Sequence, residues 1–195
     1  RMKAGEERTF VYPSEEMAVL LVLGEITYKW SDRMESGKRD SFIEEGPYCL
    51  HVSRGVEVTV NALADSEVLV QCTENDKDFG QIFYRPEDCR DDIFGADMFD
   101  NKMKRTVRTV FDYNGEVINH QGGWSSYTPH HHPQPEVYYY RYERPEGFGA
   151  CFIGDDAYKI MDGSAAAIPP GKTHPQVTAP AFPMYYCWMI RHLEG

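Results

Sequence analysis

Hydrophobic and polar residues alternate in short runs along most of the chain. Val56, Val58 and Val60 are separated by polar residues, a pattern typical of a strand with one buried face. Helical periodicity is almost absent, and for the charged stretch 86–98 we predict a loop with at most a single helical turn. Strands are predicted at residues 9–12, 18–23, 26–30, 40–43, 48–52, 57–62, 67–73, 106–111, 116–120, 136–142, 149–153, 157–160, 165–168 and 185–190.

Glycine-containing turns separate these runs, and we expect turns at residues 23–25, 36–38, 45–47 and 54–55. A polar, acidic stretch over residues 74–104 interrupts the strand pattern. The chain is therefore predicted to be all-β, with an N-terminal barrel half over residues 1–74, a polar connection over 75–105 and a C-terminal barrel over 106–195. No direct sequence repeat relates the halves, and in the first only His51 is a candidate metal ligand.

Composition narrows the class of protein. The chain has 195 residues, of which 42% are hydrophobic and 13% aromatic, so a substantial core is available. Its formal net charge of −11 argues against nucleic acid as a partner, because phosphate binding needs clustered basic residues. The longest apolar run, residues 17–23, is too short to span a bilayer.

Cysteine usage points to a reducing compartment. The chain has five cysteines, widely spaced and without a CxxC pair, which indicates reduced thiols and a cytoplasmic location.

The strongest signal for chemistry is a histidine-rich segment. His130 and His132 are two residues apart, so on an extended strand both imidazoles point to one face, and Glu136 shares their parity. His174 follows a tight turn at residues 169–171. Three imidazoles and a carboxylate predict a site for a divalent metal ion such as zinc, manganese or iron.

Each of these residues also has an ordinary structural explanation. Three consecutive histidines occur in solvated loops and in terminal tags, although this run is internal, and His131 points away from its neighbours. Glu136 has Arg141 and Arg144 as alternative salt-bridge partners. Alone, His174 would be a plain loop histidine.

Aromatic and cationic residues near this segment are candidates for the rest of a site. Tyr138 and Tyr140 share the parity of Glu136 and either line the same cavity or fill the core. Trp124 is a candidate pocket wall. Arg141 and Lys172 are candidate substrate-binding residues, with plain surface charge as the alternative.

Two motifs resemble those of the cupin superfamily. Gly123, the pattern His130-x-His132-x-x-x-Glu136 and Gly147 resemble the first cupin motif, and Pro170-Gly171-x-x-His174 resembles the second. The longer runs at residues 122–132, 136–141, 145–148 and 170–175 are similar to the 5-deoxy-glucuronate isomerase family of inositol catabolism. One departure is the short Pro133-Gln134-Pro135 segment, where that family commonly has an acidic insert.

The resemblance implies a bicupin fold of two jelly-roll-type barrels. It also implies a single metal in the C-terminal barrel, held by His130, His132, Glu136 and His174. The expected function is a metal-dependent aldose–ketose isomerase that converts a deoxy sugar acid, 5-deoxy-glucuronate, to 2-deoxy-5-keto-gluconate. Glu136 could act as the acid/base only if it is displaced from the metal, and Tyr138, Tyr140 and a bound water are its rivals.

Two other functions stay open on the same scaffold. One is a metal-dependent oxygenase or decarboxylase, and the other is a non-catalytic sugar-binding cupin. All three readings predict a small-molecule partner and no membrane partner. Whether the protein forms a homo-oligomer stays open.

Overall fold

The computed structural model describes residues 1–193 and consists almost wholly of strands. Across these residues there is one short 3₁₀ helix, Pro86–Asp88, and no helix long and apolar enough to cross a membrane. In chain order the strands are β1 Glu7–Phe10, β2 Glu15–Trp30, β3 Arg33–Arg39, β4 Cys49–Val52, β5 Val58–Ala62, β6 Glu67–Glu74, β7 Gln81–Tyr84, β8 Arg90–Phe94, β9 Arg105–Phe111, β10 Asn114–Asn119, β11 Trp124–Ser125, β12 Glu136–Arg141, β13 Phe148–Ile153, β14 Asp156–Met161, β15 Ala165–Ile168, β16 Gln176–Thr178 and β17 Met184–Ile190. The all-β prediction is confirmed.

The first of two compact units covers residues 1–89 and is organised around the long strand β2. The first half of β2 pairs with β4 and β6, and its second half pairs with β3 and β5. The order β1-β5-β2-β4-β7 completes a seven-stranded sheet. Val19, Leu21, Tyr28, Val58 and Val60 are among the fully buried side chains of its core.

The predicted turn at residues 23–25 is wrong, because β2 runs through it. The register shifts between Leu21 and Leu23, and Gly24 has a φ of +106°. A Cβ atom on Gly24 would collide with Ser66 Oγ and lie 2.7 Å from the carbonyl oxygen of Asp65. The glycine therefore allows a bulge and a close backbone approach instead of ending the strand.

The predictions for residues 36–43 are also wrong. The expected turn at 36–38 lies inside β3, where Gly37 leaves room for the ring of Tyr48. The expected strand at 40–43 is a turn. The fully buried Arg39 donates hydrogen bonds to the carbonyl oxygens of Leu21, Phe42 and Glu45, and these bonds hold the chain in the turn.

The polar stretch 74–104 contains two strands that the sequence pattern missed. β7 pairs with β4 at one end of the seven-stranded sheet, and β8 pairs with β9 at one end of a sheet in the second unit. Edge strands have a partner on one side only and tolerate polar and charged residues, so they lack a strong apolar signal. The single helical turn predicted for 86–98 is present at Pro86–Asp88.

The second unit, within residues 90–193, places two sheets around a common core. The six-stranded sheet has the order β15-β12-β17-β10-β9-β8, and the four-stranded sheet has the order β11-β16-β13-β14. Side chains from both sheets form its buried core: Val117, Tyr138, Tyr140, Tyr142, Cys151, Ile160, Ile168, Met184 and Tyr186. Over residues 1–193 all the sheets are open ladders, so the two closed barrels predicted from the sequence are not confirmed.

Candidate metal centre

The predicted ligand histidines lie in loops, so the strand parity used for His130 and His132 does not apply. Both residues belong to the segment between β11 and β12, and His174 lies between β15 and β16. Prolines at 129, 133 and 135 remove backbone donors and restrict the residues before them, which prevents a regular ladder there. The amide of Gly171 donates to the carbonyl oxygen of His132 at 2.9 Å, and this bond joins the two loops.

Three of the four predicted ligands converge tightly. Oε2 of Glu136 lies 3.3 Å from Nε2 of His132 and 3.4 Å from Nε2 of His174. One ligand atom from each of these three residues lies within 4.8 Å of the other two. Glu136 and His174 are buried, and His132 is half-buried. Glu136 is the first residue of β12, where pairing with Ile168 and Ile190 fixes its backbone.

His130 lies beside this group but outside its tight cluster. Its ring centroid is 4.9 Å from that of His174 and 6.4 Å from that of His132, and the side chain is exposed. His131 is also exposed, which agrees with its prediction as a surface residue.

The second ring nitrogen of each of these histidines faces a backbone carbonyl. Nδ1 of His132 lies 2.9 Å from the carbonyl oxygen of Gln134, and Nδ1 of His174 lies 2.9 Å from that of Lys172. Nδ1 of His130 lies 3.3 Å from the carbonyl oxygen of Thr128. A carbonyl oxygen only accepts hydrogen bonds, so Nδ1 is the donor, and the neutral forms of His132 and His174 present an Nε2 lone pair.

This arrangement brings acceptors together without a donor. Two Nε2 lone pairs face one carboxylate oxygen of Glu136, and such a contact needs a cation or a proton between the three atoms. Histidines that bind metals usually donate the other ring N–H to a carbonyl or carboxylate, as these do. The donor set fits a divalent ion that accepts nitrogen and oxygen ligands, such as zinc, manganese or iron.

Burial disfavours the charged forms of Glu136, His132 and His174. Removal from water raises the pKa of Glu136 to about 8, partly opposed by a hydrogen bond from Tyr138. Burial also lowers the pKa of His132 and of His174, while their Nδ1 hydrogen bonds oppose this and neighbouring histidines add to it. Without a metal the group is driven to a neutral state, and a cation at its centre would relieve the desolvation of the carboxylate.

The two predicted tyrosines point into the core, as their parity with Glu136 indicated. The Tyr138 hydroxyl is hydrogen-bonded to Ser126 Oγ at 3.3 Å, and its ring centroid lies 6.1 Å from that of His174. The Tyr140 hydroxyl donates to Oε1 of Gln176 at 2.5 Å. Burial raises the pKa of both tyrosines well above the usual value, so both keep their protons.

Gln176 is a residue that sequence reasoning missed. It is fully buried, and its Nε2 donates to the carbonyl oxygen of His174 at 2.6 Å. It thereby connects the Tyr140 hydroxyl to the backbone of a predicted ligand. The only sequence signal was its spacing of two residues from His174.

The remaining predicted residues have different surroundings. Trp124 is half-buried and stacks on Phe152 with a centroid distance of 5.6 Å. Arg141 is buried, and its Nε lies 2.6 Å from Oδ1 of Asp162, so a carboxylate already neutralises its charge. Lys172 is exposed. Substrate binding by these three residues stays a prediction.

Nearly the whole sequence matches one known family. The sequence model of the KduI/IolB family matches residues 1–194. The chain belongs to the KduI/IolB family. This confirms the resemblance drawn from the motifs around His130 and His174.

The relatives are distant in sequence, but the matches cover most of this chain. A 5-deoxy-glucuronate isomerase of Bacillus subtilis strain 168 is 24% identical over 211 residues, covering 95% of this chain and 76% of that protein. A protein of the same name from Geobacillus kaustophilus is 24% identical over 76% of this chain and 60% of its own length. The prediction of an isomerase agrees with these names.

Solved structures agree on the fold. The crystal structure of an IolB-like protein from Salmonella typhimurium LT2 has a TM-score of 0.89 at 22% identity, covering 98% of this chain and 81% of that one. A cupin 2 conserved barrel domain protein from Leptotrichia buccalis has a TM-score of 0.52 at 12% identity, covering 97% of this chain and 80% of that one. At such identities the likeness concerns the fold alone, and that fold is cupin-like.

Proposed function

We propose that this KduI/IolB family member is a metal-dependent aldose–ketose isomerase acting on a deoxy sugar acid, with 5-deoxy-glucuronate as substrate and 2-deoxy-5-keto-gluconate as product. The observation that carries the proposal is the buried convergence of His132, Glu136 and His174, in which both imidazoles turn Nε2 towards one carboxylate oxygen. The names of the characterised relatives supply the reaction class.

His132, Glu136 and His174 would hold the divalent ion, with His130 as a fourth ligand from the adjoining loop. When bound, the ion supplies Lewis-acid polarisation of the substrate carbonyl and of the neighbouring hydroxyl. The carbonyl partners of Nδ1 fix the orientation of the His132 and His174 rings, so both turn Nε2 towards the position of the ion.

The reaction moves one proton between adjacent carbons and one between adjacent oxygens, and it needs no oxidant or reductant. Glu136 faces both imidazoles through Oε2. We propose that its other carboxylate oxygen acts as the base without displacement of Glu136 from the ion. This oxygen removes the proton from the hydroxyl-bearing carbon and returns it to the former aldehyde carbon. The Tyr138 phenol keeps its proton at neutral pH and lies within the same buried group, so it is assigned as the hydrogen-bond donor to the substrate oxygen.

Tyr140 has a supporting role in this proposal. Its hydroxyl donates to the side-chain oxygen of Gln176, and the Gln176 amide donates to the carbonyl oxygen of His174. It therefore positions a ligand and does not contact the substrate. The half-buried ring of Trp124 provides an apolar wall for the carbon chain of the sugar acid.

The experiment compares His132→Ala with His131→Ala, the same change at the exposed neighbouring histidine. Metal content is measured by elemental analysis of the purified protein, and turnover of 5-deoxy-glucuronate is followed by NMR in D₂O. We expect metal, product and solvent deuterium on the product carbon with wild type and His131→Ala, and none of the three with His132→Ala. Full turnover by metal-free His132→Ala would refute the proposal, and oxygen consumption by wild type would favour an oxygenase.

The bicupin arrangement is part of the same proposal. We propose that residues 1–74 and 106–195 correspond to two cupin barrels joined by 75–105, with chemistry confined to the C-terminal one. In support, all four proposed ligands come from residues 130–174, and the cupin-like neighbours cover nearly the whole chain.

A further inference from the structure

A half-buried arginine lines the interior of the second unit. Arg105 is the first residue of β9 and pairs with Asn119 across β10. Val107, two residues along the same strand, packs against the core between the two sheets, so Arg105 shares that inward face. The Asn119 side chain also faces inward, where its Nδ2 donates to Ser125 Oγ at 2.9 Å.

This guanidinium has no acidic partner among residues 1–193. One of its nitrogens, Nη1, donates to the carbonyl oxygen of Met103 at 3.0 Å, and the group lies 5.7 Å from the ring centroid of Phe94. The neighbouring arginines of the same sheet differ. Arg108 is paired with Asp91 and Arg141 with Asp162. Burial lowers the pKa of Arg105, and the nearby Tyr186 phenol opposes that effect.

Tyr186 links Arg105 to the candidate metal centre. Burial raises the pKa of Tyr186 to about 12, hydrogen bonds with Ser125 and Ser126 oppose this, and the charges of Glu136 and Arg105 act on the phenol in opposite directions. The Tyr186 hydroxyl donates to Ser125 Oγ at 3.0 Å, and the same oxygen accepts from Asn119, the residue paired with Arg105. The ring centroid of Tyr186 is 4.8 Å from that of Tyr138, the residue beside His174.

From this placement we infer that Arg105 binds the carboxylate of the substrate. The inference rests on the proposed function, because it takes the reacting carbonyl to lie at the His132–Glu136–His174 group. In an open-chain uronate the carboxylate is at the opposite end from the aldehyde. Arg105 lies in the same six-stranded sheet as Glu136 but three strands away, which suits it to that end. Two guanidinium N–H groups can donate in parallel to the two oxygens of a carboxylate. Such an anion would neutralise the half-buried charge of Arg105.

The test uses binding and needs no turnover. Gluconate and sorbitol are open-chain six-carbon ligands that differ in the carboxylate, and their affinities for the metal-loaded protein are measured by calorimetry. For wild type we expect gluconate to bind about 10- to 100-fold more tightly than sorbitol, the usual range for a hydrogen bond to a charged group. Arg105→Met should remove that preference while sorbitol affinity and metal content stay unchanged.

Two further variants keep the result interpretable. Arg105→Lys retains the charge without the planar fork and should keep part of the preference. Arg90→Met, on the adjacent strand, removes an exposed arginine and should change nothing. A preference for gluconate that survives in Arg105→Met, or that is absent in wild type, overturns the inference. If the proposed isomerisation alone is wrong, the gluconate preference and its loss in Arg105→Met remain, while no uronate is converted.

Discussion

Nε2 of His174 lies 3.4 Å from Oε2 of Glu136, and both side chains are almost wholly excluded from water. A neutral imidazole lone pair and a carboxylate oxygen repel each other unless a cation or proton lies between them. Nδ1 of the same ring already donates to the carbonyl oxygen of Lys172, which keeps the acceptor nitrogen turned inward. The pair therefore needs either a shared proton or a bound cation between its two acceptor atoms.

The first prediction concerns pH and the metal-free protein. The pKa of Glu136 is raised to about 8 in the folded state, above its usual value of 4.5, so between these values the folded protein binds more protons than the unfolded chain. Its contribution to stability is complete below the lower value and is lost as pH rises through the upper one. The lowered pKa values of His132 and His174 act in the opposite direction, but only below about pH 6.5.

Between pH 6.5 and 8, urea unfolding in the presence of a chelator should therefore show a falling free energy of unfolding. The decrease from one group is at most about 1.4 kcal/mol per pH unit. Glu136→Gln should lack this slope and also lose the stabilisation that added zinc gives wild type. The exposed Glu143→Gln is the control and should behave as wild type. Equal slopes in wild type and Glu136→Gln would contradict the prediction.

Tyr138→Phe should reduce turnover without loss of metal. The substitution removes a buried hydroxyl next to Glu136 but no metal ligand, so kcat should fall about 10²- to 10⁴-fold, the usual range for loss of a positioned acid or base. Steady-state kinetics and metal analysis together check this. Tyr158→Phe, at an exposed tyrosine, is the matched control. Wild-type kcat in Tyr138→Phe would remove this residue from the mechanism.

Gln176→Leu tests whether the hydrogen bond from Gln176 to the His174 carbonyl oxygen positions this histidine. Replacing the amide leaves the Tyr140 hydroxyl and the His174 carbonyl oxygen without their partners in a buried place, which should cost about 1–3 kcal/mol per unsatisfied group. Metal affinity should fall about 10- to 100-fold, as for other residues that orient ligands. Competition with a coloured chelator measures the affinity. The exposed Gln121→Leu serves for comparison, and unchanged affinity in Gln176→Leu would show that the bond is not needed to place the ligand.

Gly24→Ala should destabilise the protein more than Gly55→Ala. Both glycines have positive φ angles, +106° and +75°, so both substitutions carry a backbone penalty. Only at Gly24 would the new Cβ atom also meet Ser66 and Asp65, whereas Gly55 faces open space. Thermal unfolding should show a larger decrease in Tm for Gly24→Ala. Equal decreases would mean that the bulge in β2 relaxes to accept a side chain.

The identity of the predicted ligands was readable from the chain because chemistry restricts which side chains bind a divalent ion. The candidate ligands were predicted from two closely spaced histidines, a glutamate and a histidine after a proline-glycine turn. The reason given for their convergence was wrong, however. Strand parity does not apply to His130 and His132, which lie in a proline-rich loop. The hydrogen bond from Gly171 to the His132 carbonyl, between loops far apart in sequence, brings His174 to them.

By itself, the sequence determined the all-β class and the family, and it named the candidate ligands, because alternation and residue chemistry are local properties. Tertiary structure alone decided where β2 continues through Gly24 and that Gln176 supports His174. It also decided that Arg141 is neutralised by Asp162, while Arg105 has no acidic partner within residues 1–193. These outcomes depend on which strands pair and in which register. Register brings together side chains that are distant along the chain, and no local pattern encodes that distance.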